Sequence, residues 1–281
     1  MFDYFNKFVF GPMNWLKHFE KTSMYLGSNE KEFIRKYVKR RKVDRFFPIF
    51  QKIGEDIAGI EAEKITKSLI VDFVAAVKII DDYIDQKEDD IQVIYDLFEE
   101  GREIHPRLKT LKKWLKSIQE TIEDKYEIFE RSIPKGIEAV RCEMSVEDLE
   151  SALVATKKSG ELGMDFIADL MEVYSDESVD KNVRNGLRSI GFMANLLDDV
   201  ADMKEDYGIR KTSPILLYES YREDHPKQKA KKLAVKETRR IAEKIYKSGM
   251  KNIERKDRYR LLGNLIKLKY GMIAKKKLKE F

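Results

Sequence analysis

Two aspartate-rich runs contain the residues of this sequence that are best suited to chemistry. The first occupies residues 81–85 (DDYID), and the second occupies residues 198–206 (DDVADMKED). On a helix with 3.6 residues per turn, Asp81 and Asp85 stack one turn apart and Asp82 lies beside them. The first run therefore places three carboxylates together at one end of a helix.

The second run extends the pattern over two turns, because Asp198, Asp202 and Asp206 recur at steps of four with Asp199 next to them. Carboxylates about 4–5 Å apart repel by ~1 kcal/mol in water and by more near a low-dielectric surface. Mg²⁺ relieves that repulsion, since it binds one or two carboxylates and completes its shell with water and phosphate oxygens. The expected metal ligands are Asp81, Asp85, Asp198, Asp202 and Asp206.

An acidic helix face also forms plain solvated surface, and this alternative stays open for each run. Both runs nevertheless follow apolar sequence, with Ile79 and Ile80 before the first and Leu196 and Leu197 before the second. Such a setting favours helices that line a cavity over helices that lie on the surface. We therefore expect the two runs to clamp an anionic diphosphate through shared metal ions.

The elements that must position these runs are helical. The 281 residues are 42% hydrophobic and 37% charged, with only 6 prolines and 14 glycines. That is too few turn residues for a sheet protein, and apolar residues recur at spacings of three or four instead. We expect one all-α domain over residues 1–281, a bundle of about ten helices around a central pocket. Residues 1–28 are a candidate N-terminal helical extension.

The helix boundaries follow from apolar stripes and end signals. Ser145 and Asp148 match a capping box that opens a helix. Gly186 and Gly191 weaken the first half of another helix. The predicted helices cover residues 61–85, 145–174, 179–206, 227–247 and 257–281.

Charge, cysteine content and hydropathy exclude several classes of protein. The 55 basic and 50 acidic residues are interspersed and leave a net charge of +5, so we expect no nucleic-acid partner. Cys142 is the single cysteine, which excludes an internal disulfide and fits a reducing cytosol. No apolar run reaches the roughly 18–20 residues that span a bilayer. We expect a soluble, cytoplasmic protein.

Four motifs together resemble the trans-prenyl synthase branch of the class I isoprenoid synthase superfamily. The two acidic runs begin 117 residues apart, a spacing similar to that of the family. Residues 158–162 (KSGEL) resemble the family's Lys-Thr-Gly element. Residues 211–214 (KTSP) resemble its Lys-x-(Thr/Ser)-x-Pro stretch. The resemblance covers the chain from residue 40 to residue 220, in round numbers.

The resemblance implies an all-helical bundle in which both acidic runs face a deep pocket. It implies a prenyl diphosphate substrate and Mg²⁺ as the cofactor, with about three ions bound. The implied catalytic residues are Asp81, Asp82, Asp85, Asp198, Asp199 and Asp202. The implied diphosphate contacts are Lys158, Lys211 and Arg45. Apolar candidates for the pocket are Phe73, Val77, Phe166, Met193 and Leu197.

The sequence departs from the family where chain-elongating members have Gly-Gly-Lys-Arg-x-Arg-Pro. Residues 43–48 (VDRFFP) keep Arg45 and the proline, whereas Asp44 replaces a lysine and Phe47 replaces an arginine. The family's Arg-Arg-Gly after the first run is also missing, since residues 86–90 are QKEDD. Because the lost groups bind isopentenyl diphosphate by charge-assisted hydrogen bonds, we expect a weakened second-substrate site.

Several functions stay open. The enzyme is expected to ionise an allylic prenyl diphosphate, releasing diphosphate and forming a terpene or a coupled prenyl product. The spacing of Asp198, Asp202 and Asp206 resembles the Asn-x₃-Ser-x₃-Glu triad of terpene synthases, and Asn195 before Asp199 is similar to head-to-head couplers. One alternative is a chain-elongating polyprenyl diphosphate synthase that uses isopentenyl diphosphate. Another is a non-catalytic homologue that binds prenyl diphosphates or regulates a partner, and a last one is a helical scaffold.

The two ends of the chain leave further alternatives. Residues 267–279 alternate lysine with apolar residues, which fits a peripheral membrane contact or, as the favoured alternative, a lid or solvated final helix. The aromatic residues between positions 2 and 15 pack on the bundle or on a partner subunit. We expect a homodimer.

Overall fold

The structure is a computed structural model in which every regular element of the described residues is a helix. The all-α prediction is therefore confirmed for this part of the chain, which contains no strand. None of the helices in these ranges is long and apolar enough to cross a membrane. The described residues are 15–38, 64–84, 105–175 and 177–253.

The chain divides into two compact units, and two long helices, α5 (Glu127–Met144) and α6 (Leu149–Ser175), contribute residues to both. The expectation of one isoprenoid synthase-like domain around a central pocket stays a prediction. The first unit is Met1–Ile137 with Asp169–Ser178, and the second is Glu138–Ala168 with Val179–Phe281.

The first unit packs α1 against α3 and α4, and α2 against α3. His18 on α1 hydrogen bonds to Asp72 on α3, with 2.7 Å between Nε2 and Oδ2, and both side chains are buried. Phe19 on α1 meets the buried Trp114 of α4 edge-on, with ring centroids 6.1 Å apart. The helix inside the candidate N-terminal extension is thus part of this unit's core. The elements are α1 Trp15–Thr22, α2 Ser28–Val38, α3 Lys64–Ile84, α4 Pro106–Ile122 and a 3₁₀ turn at Glu123–Tyr126.

Helix α3 carries the first acidic run at its C-terminal end. Its predicted apolar stripe is buried at Leu69, Phe73 and Ile80, and Val77 is half-buried. Phe73 packs edge-on against Phe129 of α5, with ring centroids 6.1 Å apart. Ile70, Val71, Ala75 and Ala76 outside the stripe are buried as well, so the described part of α3 is enclosed on most of its sides.

Helix α5 spans Glu127–Met144, and α6 spans Leu149–Ser175. The cap of α6 differs from the prediction, because Asp148 rather than Ser145 closes its N-terminus. The Asp148 carboxylate accepts from the Ser151 N–H at 2.8 Å, and Ser151 Oγ accepts from the Asp148 N–H at 3.0 Å. Ser145 Oγ instead donates to the Cys142 carbonyl at the end of α5, at 3.2 Å. The reciprocal hydrogen bonds of Asp148 and Ser151, in place of the predicted pair Ser145 and Asp148, thus satisfy free amide groups at the start of α6.

In the second unit, α7, α8 and α9 pack against one another. Helix α7 begins after Asp180, whose carboxylate accepts from the Asn182 N–H at 2.8 Å. The predicted helix over residues 257–281 lies outside the described residues. The elements are α7 Lys181–Asp206, α8 Ser213–Asp224, α9 Lys227–Gly249 and a 3₁₀ turn at Met250–Asn252.

The glycines that we expected to weaken α7 are sites of close helix packing. A Cβ atom on Gly191 would lie 2.0 Å from the Gly160 carbonyl oxygen of α6. A Cβ atom on Gly186 would lie 2.2 Å from Ile253 Cδ1. The helix stays continuous through both positions. Because neither Gly160 nor Gly191 has a side chain, α6 can approach α7 closely at this point, seven residues before Asp198.

Candidate metal and diphosphate site

The first acidic run already has a cation on its own helix. Lys78 Nζ contacts Asp81 Oδ2 and lies 3.2 Å from Asp82 Oδ1. The side chains of Asp81 and Asp82 are 13% and 15% exposed, so this ion pair is partly shielded from water. Burial alone would lower the pKa of Lys78, but the two carboxylates outweigh it and the pKa is raised. Any metal at this run must compete with the lysine.

The second acidic run contains a carboxyl group that the fold encloses. Burial raises the pKa of Asp199 well above its usual range, and Glu143 and Asp198 raise it further. The Thr156 hydroxyl of α6 lies 3.1 Å from Asp199 Oδ2 and 2.9 Å from the Ala152 carbonyl. The Thr156 hydroxyl donates to Asp199 and so acts to lower the pKa of this carboxyl group. Burial and the neighbouring carboxylates outweigh that hydrogen bond, so ionising Asp199 is costly.

The pKa of Asp206, at the end of the run, is also raised. Burial raises its pKa from 3.8 to about 6, although Arg210 acts to lower it. Asp202 and Asp198 contribute to the rise, together with a neighbouring glutamate. Because α7 is helical as far as Asp206, the three carboxylates at steps of four share one face, as the sequence predicts. Arg210 therefore does not cancel the rise in the pKa of Asp206.

Lys158 approaches the end of α5 rather than the second run. Its ammonium donates to Glu138 Oε1 and to Cys142 Sγ, with 3.1 Å to each acceptor. Next to it, Ser159 Oγ donates to Glu143 Oε1 at 2.6 Å. The Lys-Ser-Gly element therefore joins α6 to α5, and Lys158 must leave these acceptors before it can contact a diphosphate.

Lys211 precedes a helix N-terminus that carries two unsatisfied hydroxyl groups. Thr212 Oγ1 and Ser213 Oγ are both buried, and neither has a hydrogen-bond partner among the residues that the structure describes. Thr212 is the N-cap residue of α8, but its side chain caps no amide. The turn before it contains Gly208 at φ +82°, a left-handed conformation that favours glycine. Helix N-termini attract anions, so this end of α8 suits a phosphate group next to Lys211.

The structure thus brings most of the predicted residues of the second run into one unit. Asp198, Asp199, Asp202, Asp206, Lys158 and Lys211 all belong to the second unit, whereas Asp81 and Asp82 belong to the first. Asp85 and Arg45 lie outside the described residues.

Sequence reasoning missed three groups that shape the site. The pairing of Lys78 could have been predicted, because Lys78 lies three and four residues before the aspartates that it contacts. The positions of Glu143 and Thr156 could not have been predicted from the sequence, since each approaches α7 only through packing between helices. Glu143 is further linked to the turn after α7, because Arg210 Nη1 lies 4.0 Å from Glu143 Oε2.

The donor set of the second run suits Mg²⁺. Its side-chain ligands are carboxylate oxygens, which hard cations prefer over the nitrogen and sulfur ligands typical of zinc. Within the described ranges, no three His, Cys, Asp or Glu side chains are grouped closely enough to hold a metal ion. Comparison of the chain with protein-family models, curated proteins and solved structures finds no match. The assignment below therefore rests on the residues and geometry of this chain.

Proposed function

We propose that this protein is a Mg²⁺-dependent class I isoprenoid synthase that ionises an allylic prenyl diphosphate. The observation that carries the proposal is the acidic face of α7. Its carboxyl groups at Asp199 and Asp206 have raised pKa values because burial and neighbouring carboxylates outweigh the groups that lower them. Carboxyl groups with raised pKa values beside further carboxylates are expected of a face that binds cations in its working state.

Mg²⁺ in phosphate-handling sites is held by one or two carboxylates, and waters and substrate oxygens supply the rest of its shell. Asp198 and Asp202, one turn apart on α7, supply such a pair. The metal and the diphosphate then bind together, because each provides ligands or charge that the other lacks.

The end of α8 supports a diphosphate as the anion. Within the described part of the chain, the hydroxyls of Thr212 and Ser213 are donors without partners, and Lys211 adds a positive charge beside them. Oriented donors and a helix N-terminus stabilise the charge that develops on a leaving diphosphate. Bound Mg²⁺ would act as a Lewis acid on the same oxygens.

The remaining side chains protect the allylic cation from water. Phe166, Met193 and Leu197 of α6 and α7 are buried apolar side chains. Carbocation chemistry requires such an apolar, water-excluding environment. In the proposed reaction, Lys158 exchanges Glu138 for the diphosphate when the substrate binds.

The test incubates the protein with Mg²⁺ and geranyl, farnesyl or geranylgeranyl diphosphate, each with and without isopentenyl diphosphate. Released pyrophosphate and extracted products are measured. We expect hydrocarbon or alcohol from an allylic substrate alone, with turnover reduced at least a hundredfold in Asp198→Ala. Asp224→Asn, an exposed change on α8, is the matched control and should retain turnover.

Near-normal turnover in Asp198→Ala would overturn the proposed role of the second run. Longer prenyl diphosphates that appear only with isopentenyl diphosphate would mean chain elongation instead.

One observation favours a second candidate, a non-catalytic homologue that binds prenyl diphosphates. Lys78 neutralises the first run, and Lys158 is engaged by Glu138 and Cys142, so two groups of the expected machinery are paired within the protein. Such a homologue would bind pyrophosphate in the presence of Mg²⁺ but release none from any of the three substrates.

A further inference from the structure

A polar pocket of about 430 Å³ lies in the second unit, where α6, α7 and the end of α9 meet. It lies on a part of α7 well before the acidic run, near the start of the helix. Its lining consists of polar side chains and one glycine, with no apolar side chain among these described residues. Such a lining does not suit a prenyl chain, which needs an apolar wall. The pocket is therefore a feature separate from the proposed isoprenoid site.

Arg188 is the anchoring cation of this pocket. Its Nε donates to both carboxylate oxygens of Asp165, at 2.8 and 2.9 Å. These contacts hold the guanidinium group through one nitrogen only. Neither terminal nitrogen of Arg188 makes a hydrogen bond within the described part of the chain. The fixed guanidinium thus keeps the paired donors that recognise a phosphate in a bidentate manner.

A second cation stands on the α6 side of the pocket. Lys157 Nζ lies 3.9 Å from Glu161 Oε1, too far for a hydrogen bond, so the ammonium keeps its donors for another acceptor. Burial raises the pKa of Glu161, while Lys157 and Arg188 act to lower it. The lining holds two cations, Lys157 and Arg188, and one acidic side chain, Glu161. Its net charge is positive even with Glu161 ionised, which favours an anion.

The other polar lining residues carry side-chain amides and hydroxyls. Asn182 and Asn185 lie on one face of α7, and their side-chain amides form no hydrogen bonds among the residues that the structure describes. Ser189, one turn further along α7, donates to the Asn185 carbonyl at 3.0 Å and keeps its lone pairs. Ser248 completes the set from α9. Amides and hydroxyls both donate and accept, which is the pattern that a polyhydroxylated molecule requires.

Close packing makes the pocket a fixed part of the fold. A Cβ atom on Gly249 would lie 2.1 Å from Ser189 Oγ, so α9 ends in direct contact with α7 at this point. The volume lies within the range of about 300–1,000 Å³ that is usual for small-molecule sites and exceeds what a bare phosphate fills.

We infer that this pocket binds a phosphate monoester of a small, hydroxyl-rich molecule, such as a sugar phosphate. Arg188 and Lys157 hold the phosphate, and the amide and hydroxyl side chains of α7 and α9 bind the hydroxyl groups. The inference does not rest on the proposed isoprenoid chemistry, because neither Mg²⁺ nor the acidic run takes part.

The experiment is isothermal titration calorimetry of the full chain in EDTA, with glycerol 3-phosphate, ribose 5-phosphate, glucose 6-phosphate and inorganic phosphate as probes. We expect at least one of the three esters to bind at least tenfold more tightly than inorganic phosphate. Arg188→Gln should weaken that binding at least tenfold. The matched control is Arg184→Gln, which removes the same charge one turn away on α7, also beside Asp165 at 3.6 Å, but from a residue outside the lining. It should change the affinity less than twofold.

Three outcomes overturn the inference: no ester binds at 10 mM probe concentration, inorganic phosphate binds as tightly as the best ester, or the two arginine variants weaken binding equally. Circular dichroism of Arg188→Gln verifies the fold, and Asn185→Leu, which fills the pocket from another residue, provides a second variant. Retention of ester binding by both Arg188→Gln and Asn185→Leu would likewise contradict the inference.

Discussion

Replacing Asp206 by asparagine should stabilise the protein when no metal is present. The pKa of Asp206 is raised from 3.8 to about 6, mainly by burial, with Asp202, Glu205 and Asp198 adding repulsion and Arg210 opposing it. A raised carboxyl pKa means that the folded state binds the proton more tightly than the unfolded state. The folded protein is therefore penalised at pH values where the carboxyl group ionises.

The magnitude follows from linkage. A shift of about 2 units corresponds to a ceiling of ~3 kcal/mol at pH 7.5, at about 1.36 kcal/mol per unit. Asp206 is partly exposed, so solvent screening reduces this value and we expect about 1–2 kcal/mol. The penalty begins near pH 3.8 and is complete above pH 6. At pH 4.5 the same relation leaves about a third of it.

The assay is urea unfolding followed by circular dichroism, in EDTA, at pH 7.5 and pH 4.5. Asp206→Asn should raise the free energy of unfolding at pH 7.5 and raise it by much less at pH 4.5. Asp224→Asn serves as the control, because it removes an exposed carboxylate from α8 and should have little effect at either pH. A destabilised Asp206→Asn protein, or an equal gain at both pH values, would refute the reasoning about the acidic face.

Two further perturbations test other parts of the structure. Lys78→Met should destabilise the metal-free protein by about 1–3 kcal/mol, because it removes the cation that contacts the partly buried carboxylates of the first run. Millimolar Mg²⁺ should restore part of the loss. A melting temperature unchanged in EDTA would argue against the ion pair. Gly191→Ala should cost at least about 2 kcal/mol, since its Cβ would lie 2.0 Å from the Gly160 carbonyl. The control is Gly27→Ala, because a Cβ atom on Gly27 would have its nearest neighbour 3.7 Å away. This variant should change stability by less than about 0.5 kcal/mol. Similar losses in both glycine variants would contradict the close crossing.

Local patterns in the sequence predicted the helices well. The predicted helix over residues 61–85 contains α3, and steps of four gave the shared face of the second acidic run. These features depend only on the helical period, which is a property of neighbouring residues. The start of α6 was misplaced because two overlapping sequence patterns each resemble a capping box, and only the hydrogen bonds of Asp148 and Ser151 select between them.

Features that depend on packing between helices could not be predicted. Gly191 has a low helix propensity, and only the contact with Gly160 explains its place in α7. Likewise, the partners of Asp199 come from α5 and α6, more than forty residues away in the sequence. The polar pocket combines residues of three helices that are far apart in the sequence, so no sequence motif indicates it.

The account depends most on the claim that the acidic face of α7 binds Mg²⁺ together with a diphosphate. The most direct measurement is calorimetric titration of inorganic pyrophosphate into the wild-type protein, Asp202→Asn and Asp224→Asn, with Mg²⁺ and with EDTA. The account predicts binding only with Mg²⁺, at least a tenfold loss of affinity in Asp202→Asn, and wild-type affinity in Asp224→Asn. Equal affinity in all three proteins, or binding that is unchanged in EDTA, would contradict it.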